Sequence, residues 1–313
     1  MGLTLASPVF AVSPSSILVD VVPENPAPYS DVTISLRSFA ANLDSVTISW
    51  LVNGKIVSSG IGRKSFSVSV GASGSETTIL ASILLPDGQI DKTIILRPAT
   101  MILLWQANDS YIPPFYRGKA LPTADSEIKI VAMPEIKTGS GMVNPKNMTY
   151  FWKKNYVNDQ GASGYGKNFF SFTSDYLDST SAISVAASSV DQKYSAEAET
   201  SVGITEPEIL FYKEDSGLGV LWERALSSPH VMVGEETVFA APYFISPKDI
   251  RRPDLVWNWS INDRTVITKD TLRRNIIPLK TDAGVSGVSR LRLDIENSYK
   301  IFQSASKEIN IQF

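Results

Sequence analysis

Short runs in which apolar and polar residues alternate recur along the whole chain. From Arg290 to Ile295 every second side chain is apolar and the ones between are charged, so one face of a strand is dry and the other wet. A sheet of such strands is typically antiparallel. Long runs of strong helix formers are absent, so helices are not favoured anywhere. In the first third, the pattern predicts six strands: Ser16–Val21, Asp31–Ser38, Ser45–Val52, Ser65–Val70, Thr77–Leu85 and Ile90–Leu96.

A Trp-x-x-Asn motif occurs three times, each time at the end of an apolar, β-rich run. The copies begin at Trp50, Trp152 and Trp259, which lie 102 and 107 residues apart. The stretch from Ser59 to Gly62 recurs 104 residues later from Ser163 to Gly166, although the third copy lacks it. Matches at nearly one offset predict three units of about 100 residues, the size of an immunoglobulin-type sandwich.

The predicted fold class is therefore all-β, with three tandem immunoglobulin-like antiparallel β-sandwiches. The predicted domains are residues 13–98, 99–203 and 204–313, preceded by a signal-peptide remnant or disordered arm, residues 1–12. Immunoglobulin-type domains carry a buried Trp on their third strand. We therefore expect Trp50, Trp152 and Trp259 to be structural core residues rather than platforms for a ligand.

Two segments resemble known families. The run from Trp50 to Lys55, followed by Gly60-x-Gly62 and a turn rich in Gly and Ser, resembles bacterial immunoglobulin-like and polycystic-kidney-disease-like (PKD-like) domains of surface proteins. The segment from Trp105 to Leu121 is similar to uncharacterised exported proteins of uncultured, small-genome bacteria. The first resemblance implies secreted β-sandwich repeats, and the second implies no known activity.

Composition excludes several classes of function. The chain has no cysteine, which excludes disulfides, thiolate metal sites and cysteine nucleophiles, and it has a single histidine, His230. The net charge of −3 provides no basic field for nucleic acid. No stretch has the roughly 18 consecutive apolar residues of a membrane span. The first eleven residues are mostly apolar and end in Val-Phe-Ala, which suits signal-peptidase cleavage after Ala11.

The sequence offers little that indicates catalysis. His230 lies in a predicted loop, where we expect a surface residue, and neither a Gly-x-Ser-x-Gly elbow nor a phosphate-binding loop is present. Two acidic clusters, residues 108–110 and 214–216, follow the predicted domain boundaries. Turn capping is the favoured interpretation of these clusters, with calcium binding as the alternative. We therefore expect no enzymatic activity, cofactor or metal.

Two long segments at the predicted boundaries, Trp105–Pro122 and Tyr212–Leu226, are rich in large apolar side chains. We expect these side chains to pack on a neighbouring domain or to meet a partner. The tentative binding residues are Trp105, Tyr111, Phe115 and Tyr116.

The function favoured is that of a non-catalytic exported surface or envelope protein, acting as spacer, adhesin or assembly component through protein contacts. The alternative is a carbohydrate-binding accessory protein that uses exposed aromatics. The expected partner is a protein or envelope component, or a glycan, and not nucleic acid. The expected location is extracellular, at the cell surface or in the periplasm.

Overall fold

The computed structural model describes residues 13–138, 141–267, 272–282, 284–300 and 302–313. The predicted signal-peptide remnant or arm, residues 1–12, lies outside the described residues. The structure consists of antiparallel β-sheets arranged as three immunoglobulin-like sandwiches in tandem, which confirms the predicted fold class. Within the described residues, the one α-helix has four residues, Pro247–Ile250 (α1).

The first sandwich contains seven strands and two short 3₁₀ turns, Pro14–Ser16 and Leu43–Ser45. Its strands are β1 (Ile17–Val22), β2 (Asp31–Ser38), β3 (Thr47–Val52), β4 (Lys55–Ile61), β5 (Ser65–Ser69), β6 (Thr77–Leu85) and β7 (Gly88–Leu96). They form one sheet in the order β1-β2-β5 and a second in the order β4-β3-β6-β7.

The middle sandwich repeats this order and adds a small ribbon, β10-β11, between its second and third core strands. A 3₁₀ turn, Pro145–Asn147, precedes the strand that carries Trp152. Its strands are β8 (Thr100–Ala107), β9 (Glu127–Glu135), β10 (Lys137–Thr138), β11 (Gly141–Met142), β12 (Met148–Lys154), β13 (Val157–Tyr165), β14 (Phe169–Thr173), β15 (Thr180–Ser189) and β16 (Ser195–Gly203). The sheets are β14-β9-β8 and β13-β12-β15-β16.

The third sandwich has the same seven-strand core with two short additions, β18 and β19. Its strands are β17 (Glu208–Asp215), β18 (Gly219–Val220), β19 (His230–Val231), β20 (Glu235–Tyr243), β21 (Leu255–Ile261), β22 (Arg264–Val266), β23 (Ile276–Lys280), β24 (Val288–Asn297) and β25 (Ser304–Gln312). The sheets are β18-β17-β20-β23 and β19-β25-β24-β21-β22, and β19 pairs in parallel with β25.

Internal contacts divide the chain into two compact units. The first unit comprises residues 1–103, 132–168 and 184–199, and the second comprises residues 104–131, 169–183 and 200–313. The first unit therefore contains the whole first sandwich and part of the middle one. The second unit contains the rest of the middle sandwich and the whole third sandwich.

The three motif tryptophans occupy corresponding strands, β3, β12 and β21, and their side chains are fully buried. Their exposed fractions are 0%, 0% and 1% for Trp50, Trp152 and Trp259. A buried indole N–H needs an acceptor. Each Nε1 donates to a backbone carbonyl 13 or 15 residues further along, at 2.7 Å in the first sandwich and 2.9 Å in the other two.

The asparagine of each motif begins the hairpin that leaves this strand. Asn53, Asn155 and Asn262 have φ values of 47°, 49° and 48°, the left-handed region that a two-residue hairpin turn requires. Asn53 Oδ1 accepts from the N–H of Thr78 at 3.1 Å, and Asn262 Oδ1 accepts from the N–H of Arg290 at 2.8 Å. In these two sandwiches the motif therefore positions the Trp and ties its hairpin to the neighbouring strand.

The repeated glycines also have a structural reason. Gly62 and Gly166 have φ values of 68° and 71°, and a Cβ added to either would lie 3.1 or 3.3 Å from a backbone carbonyl oxygen. Only glycine combines this conformation with such a close approach.

The predicted strands of the first sandwich coincide with the observed ones or differ by up to two residues at an end. β4 was not predicted. Its apolar side chains Ile56, Val57 and Ile61 are exposed, because it is an edge strand, and so it lacks the alternation that marks a half-buried strand.

We predict that Trp50→Ala lowers the free energy of unfolding by about 3–5 kcal/mol, because it removes a fully buried aromatic side chain. Trp259→Ala should have a similar effect on the third sandwich. Urea denaturation of the full chain followed by circular dichroism measures both. The control is Phe39→Ala, which truncates a 95% exposed ring and should change stability by less than about 0.5 kcal/mol. A Trp50→Ala protein as stable as this control would contradict the prediction.

Candidate functional site

The connection between β8 and β9 carries three of the four tentative binding residues, and Trp105 lies near the end of β8. Trp105 is half-buried, and Lys119 Nζ lies 3.1 Å from the centroid of its ring. Burial lowers the pKa of Lys119. This cation–π contact occupies one face of the indole, so that face is not free to stack on a ligand.

Tyr111 is joined to the third sandwich through its backbone. Its N–H donates to the carbonyl of Ile245 at 2.8 Å, and its carbonyl accepts from the N–H of Phe244 at 2.7 Å. The side chain is half-buried, and burial, followed by the proximity of Tyr212, raises its pKa. Tyr111 therefore acts in domain packing in this structure.

Tyr116 packs against the same part of the third sandwich. Its ring meets those of Tyr243 and Phe244 edge-on, with centroids 5.6 and 6.2 Å apart. Ile112 and Leu121 from the same connection also pack on the buried cluster that contains Tyr243 and Phe244. Side chains of this connection therefore contact the third sandwich.

Phe115 differs from its neighbours because its side chain is 88% exposed. Its φ of 66° is uncommon for a bulky residue and costs energy. The segment thus exposes the ring of Phe115 more than those of Tyr111 and Tyr116, which are held by contacts with the third sandwich.

A buried polar network lies beside these aromatic contacts. Thr123, Ser126 and Ser174 are 0%, 1% and 3% exposed. Thr123 Oγ1 donates to the carbonyl of Phe244 at 3.2 Å, and Ser174 Oγ donates to the carbonyl of Thr123 at 2.7 Å. The N–H of Ser126 in turn donates to Ser174 Oγ at 2.9 Å.

Gln303 connects this network to the third sandwich. Its side chain is fully buried, and Nε2 donates to Thr123 Oγ1 at 3.2 Å and to the carbonyl of Ala124 at 2.8 Å. Oε1 accepts from Asn297 Nδ2 at 3.2 Å. Next to it, the rings of Tyr176 and Phe302 stack with centroids 4.6 Å apart. We call these contacts, formed by residues 111–126, 174–176, 243–245, 297–300 and 302–303, the junction of the second unit.

The other long segment, Tyr212–Leu226, packs mainly on its own sandwich. Trp222 contacts the rings of Tyr212 and Phe239 at 5.0 and 5.4 Å. The hydroxyls of Tyr212 and Tyr243 are 2.6 Å apart, and burial together with this hydrogen bond raises the pKa of Tyr243. The aromatic residues of this segment therefore cover the outer face of β17 and β20.

His230 is not the surface loop residue that the sequence predicts. It lies in β19 with a side chain 18% exposed, and its Nε2 lies 2.8 Å from Glu236 Oε2. Lys213 Nζ donates to the other oxygen of Glu236 at 3.0 Å. Burial alone would raise the pKa of Glu236, but the hydrogen bonds and charges of His230 and Lys213 outweigh it and hold the pKa below its usual value.

The acidic clusters after the predicted boundaries bind backbone groups. Asp109 Oδ1 accepts from the N–H of Glu127 at 2.9 Å. Asp215 Oδ1 accepts from the N–H groups of Leu218 and Gly217, which lower its pKa. Glu214 pairs with Arg273 at 2.5 Å. These contacts are those of turn and strand-end residues.

The described residues contain no group of three or more His, Asp or Glu side chains arranged to hold a metal ion. None of the helices in the described ranges has the length and apolar character needed to cross a bilayer.

No protein-family model matches the sequence, and a search of curated proteins finds no match either. Among solved structures, the chain is similar to the fibronectin(III)-like modules of Clostridium thermocellum CbhA, with 13% identity and a TM-score of 0.29 over 60% of this chain and 94% of that one. It is also similar to the three N-terminal domains of the highly immunogenic outer capsid protein of bacteriophage RB49, with 9% identity and a TM-score of 0.25 over 95% and 97% of the two chains. A third similar structure is the central fibronectin-III array of RIM-binding protein, with 11% identity and a TM-score of 0.31 over 94% and 95%. At this identity such likenesses concern the fold alone.

The pairing of Glu236 predicts a pH dependence of stability. A carboxylate whose pKa is lower in the folded than in the unfolded state contributes stability above its unfolded pKa, and this contribution is lost as the pH falls through the folded pKa. Glu236→Gln should therefore be less stable than the wild type at pH 7, and the difference should shrink as the pH falls toward 3. Urea denaturation at several pH values measures it.

The control is Glu296→Gln, which changes an exposed carboxylate of the same sandwich. Its difference from the wild type should stay small at every pH. A Glu236→Gln deficit that is the same at pH 7 and pH 3 would contradict the assigned pairing.

Proposed function

We propose that the chain is a non-catalytic exported surface or envelope protein that acts as a spacer, adhesin or assembly component through protein contacts. Its location would be extracellular, at the cell surface or in the periplasm. We also propose three domains, residues 13–98, 99–203 and 204–313.

The observation that carries this proposal is the junction of the second unit. Of the four side chains marked as binding candidates, Tyr111 and Tyr116 pack against the third sandwich, and Trp105 contacts Lys119. Gln303 and Thr123 are fully buried there and satisfied by hydrogen bonds. A buried polar network rigidifies the groups it joins, because opening it exposes several partners at once.

This use of side chains supports a mechanical role. A spacer or adhesin needs its domains held in a set orientation, so that contact residues are presented without loss of entropy on binding. The residues of the junction meet that need, because their polar groups are buried and joined by hydrogen bonds. His230 is hydrogen-bonded to Glu236 within the third sandwich, and we propose a structural role for this pair.

Among the four tentative binding residues, Phe115 has the most exposed side chain, and we propose that it meets a partner. Its ring is 88% exposed on a backbone held at positive φ, while Tyr111 and Tyr116 on either side are anchored. An aromatic group presented from a rigid base is a typical anchor for a protein interface.

The alternative function, carbohydrate binding by the tentative residues, is less well supported at this place. Stacking on sugar needs exposed ring faces, and within the junction segment only Phe115 offers a largely exposed ring among Trp105, Tyr111, Phe115 and Tyr116.

We predict that Gln303→Ala loosens the junction without unfolding the third sandwich. The change leaves the carbonyl of Ala124 and the amide of Asn297 without their partner, which costs about 1–3 kcal/mol. Hydrogen exchange followed by NMR should show faster exchange at the N–H groups of Tyr111 and Phe244, with Leu293 still protected.

The matched control is Gln312→Ala, which removes an exposed glutamine side chain from the same sandwich. It should leave exchange at Tyr111 and Phe244 unchanged. If Gln303→Ala also left them unchanged, the network would not hold the junction together.

We predict that Phe115→Ser reduces binding of the purified chain to isolated envelopes of its source organism by about tenfold, as expected for loss of an exposed aromatic anchor. A sedimentation assay measures the bound fraction. Phe39→Ser removes a ring of similar exposure from the first sandwich and serves as the control. If the wild type and Phe115→Ser bound equally, Phe115 would not be part of the interface. If the wild type did not bind, the result would count against an envelope partner.

A further inference from the structure

The outward face of the middle sheet β13-β12-β15-β16 contains a groove that the junction does not use. The groove has a volume of about 760 Å³ and lies entirely within the first unit. We call it the middle groove. The side chains that determine its chemistry are Phe151, Lys153, Tyr156, Asn158, Glu197 and Glu199.

The floor of the middle groove is formed by small side chains of β15. Strand β15 alternates between buried residues and half-buried ones, and Ser184 and Ala186 belong to the half-buried, outward set. Phe151 and Lys153 belong to the outward set of the adjacent strand β12. Glu197 and Glu199 are exposed on β16, on the other side of β15. Small residues between larger ones create the depression.

Two aromatic rings face solvent in this groove. Phe151 is 56% exposed and Tyr156 is 78% exposed. Tyr156 occupies the second position of the hairpin turn with a φ of 66°, where a bulky side chain is uncommon and strained. The corresponding residues are Gly54 and Asp263 in the other two sandwiches, and these types suit the turn better. Tyr156 thus occupies a turn position that disfavours it, and this strain points to a role outside folding.

The same contrast holds for Phe151. It directly precedes the buried Trp152, and the corresponding residues are Ser49 and Asn258. In the third sandwich the outward face is covered by ion pairs, in which Arg292 contacts Asp294 at 2.7 Å and Glu308 at 3.9 Å. The exposed rings thus belong to the middle sandwich and are not a general feature of the repeat.

The polar groups of the groove are placed on both sides of the rings. Lys153 and Asn158 lie opposite each other on β12 and β13. Glu197 Oε2 accepts from Asn25 Nδ2 at 3.1 Å, which orients its carboxylate. Within the described ranges Glu199 has no ion pair or side-chain hydrogen bond, so both its oxygens are available as acceptors.

We infer that the middle groove binds a neutral glycan, with sugar rings lying on Phe151 and Tyr156 and their hydroxyls bound by Glu199, Asn158 and Lys153. The C–H face of a sugar matches an exposed aromatic face, and its hydroxyls match a set of carboxylate, amide and ammonium groups. The backbone at the floor is paired within the sheet, so it offers no edge to an extended peptide. The shallow floor of Ser184 and Ala186 offers no deep pocket for an apolar anchor.

The charge of the groove selects among glycans. Two carboxylates, Glu197 and Glu199, face one ammonium group, Lys153. An anionic polysaccharide would meet a net negative surface, and we therefore expect it to be excluded. This inference goes beyond the proposed function and is independent of the junction, so the two can fail separately.

Affinity electrophoresis of the full chain tests it. Native gels would contain one of the neutral polysaccharides laminarin, mannan, xylan or hydroxyethyl cellulose, or the anionic polygalacturonate. We expect retardation by at least one neutral polysaccharide and none by polygalacturonate. The inference would be overturned if none of the neutral polysaccharides retarded the wild type, or if polygalacturonate alone retarded it.

The variants exchange the groove residues for those of the first sandwich. Phe151→Ser and Tyr156→Gly should each weaken binding of the retarding polysaccharide about tenfold, as expected for the loss of one stacked ring. Tyr156→Gly should also melt at the same or a higher temperature than the wild type, because it relieves the positive φ. Ala186→Leu, which fills the groove without removing a ring, should weaken binding as well.

The control is Phe39→Ser, which removes a 95% exposed ring from the first sandwich and should migrate like the wild type. Retardation of Phe151→Ser and Tyr156→Gly equal to that of the wild type would place any glycan elsewhere and overturn the inference. Since both positions are exposed, the variants should melt cooperatively like the control, and a Tyr156→Gly protein that melts at a lower temperature would assign the tyrosine a structural role instead.

Discussion

The need of a buried indole N–H for an acceptor constrains each of the three sandwiches. Trp50, Trp152 and Trp259 fill the core, and each must donate to a carbonyl 13 or 15 residues away. The hairpin that follows each tryptophan begins with an asparagine near φ 48°. With no disulfide to join the sheets, this one hydrogen bond and the packing of its ring position the strands on which the outward faces are built.

In the junction of the second unit, too, buried polar groups have hydrogen-bond partners. Gln303 and Thr123 are buried polar side chains, and burial is tolerated because their amide and hydroxyl groups are paired. The aromatic contacts of Tyr116 add apolar burial beside them. Polar pairing gives the contact its geometry, since rings alone tolerate sliding whereas a hydrogen bond does not. Phe115 is turned outward by the same segment, and its exposure thus depends on anchors on both sides.

The sequence predicted the fold well because the core repeats at a fixed offset and the strands of the first sandwich alternate. Strand β4 was missed because its apolar residues point to solvent at a sheet edge. The pairing of His230 with Glu236 was missed because β19 has only two residues, and each pairs with a residue of β25 that lies 81 positions further along the sequence. The sequence could not predict that Phe115 is exposed while Tyr116 packs against the third sandwich, because adjacent aromatic residues in a connection have no periodicity. A signal for the middle groove was nevertheless present, because Phe151 and Tyr156 replace small or polar residues of the other repeats.

These replacements show where the repeat is free to vary. The indole, its acceptor and the asparagine turn cannot change without cost to folding, whereas the outward face of the same sheet is not constrained by the core. The three faces have accordingly become different: hydroxyl and aliphatic groups such as Ser49 and Leu84 in the first, exposed rings in the middle, and the ion pairs of Arg292 in the third. On the ion-paired face, the charged groups are each other's partners. On the face with serines, water can bind the hydroxyl groups. The middle face, with exposed rings beside the unpaired carboxylate of Glu199, does neither, and it is the face for which we propose a ligand.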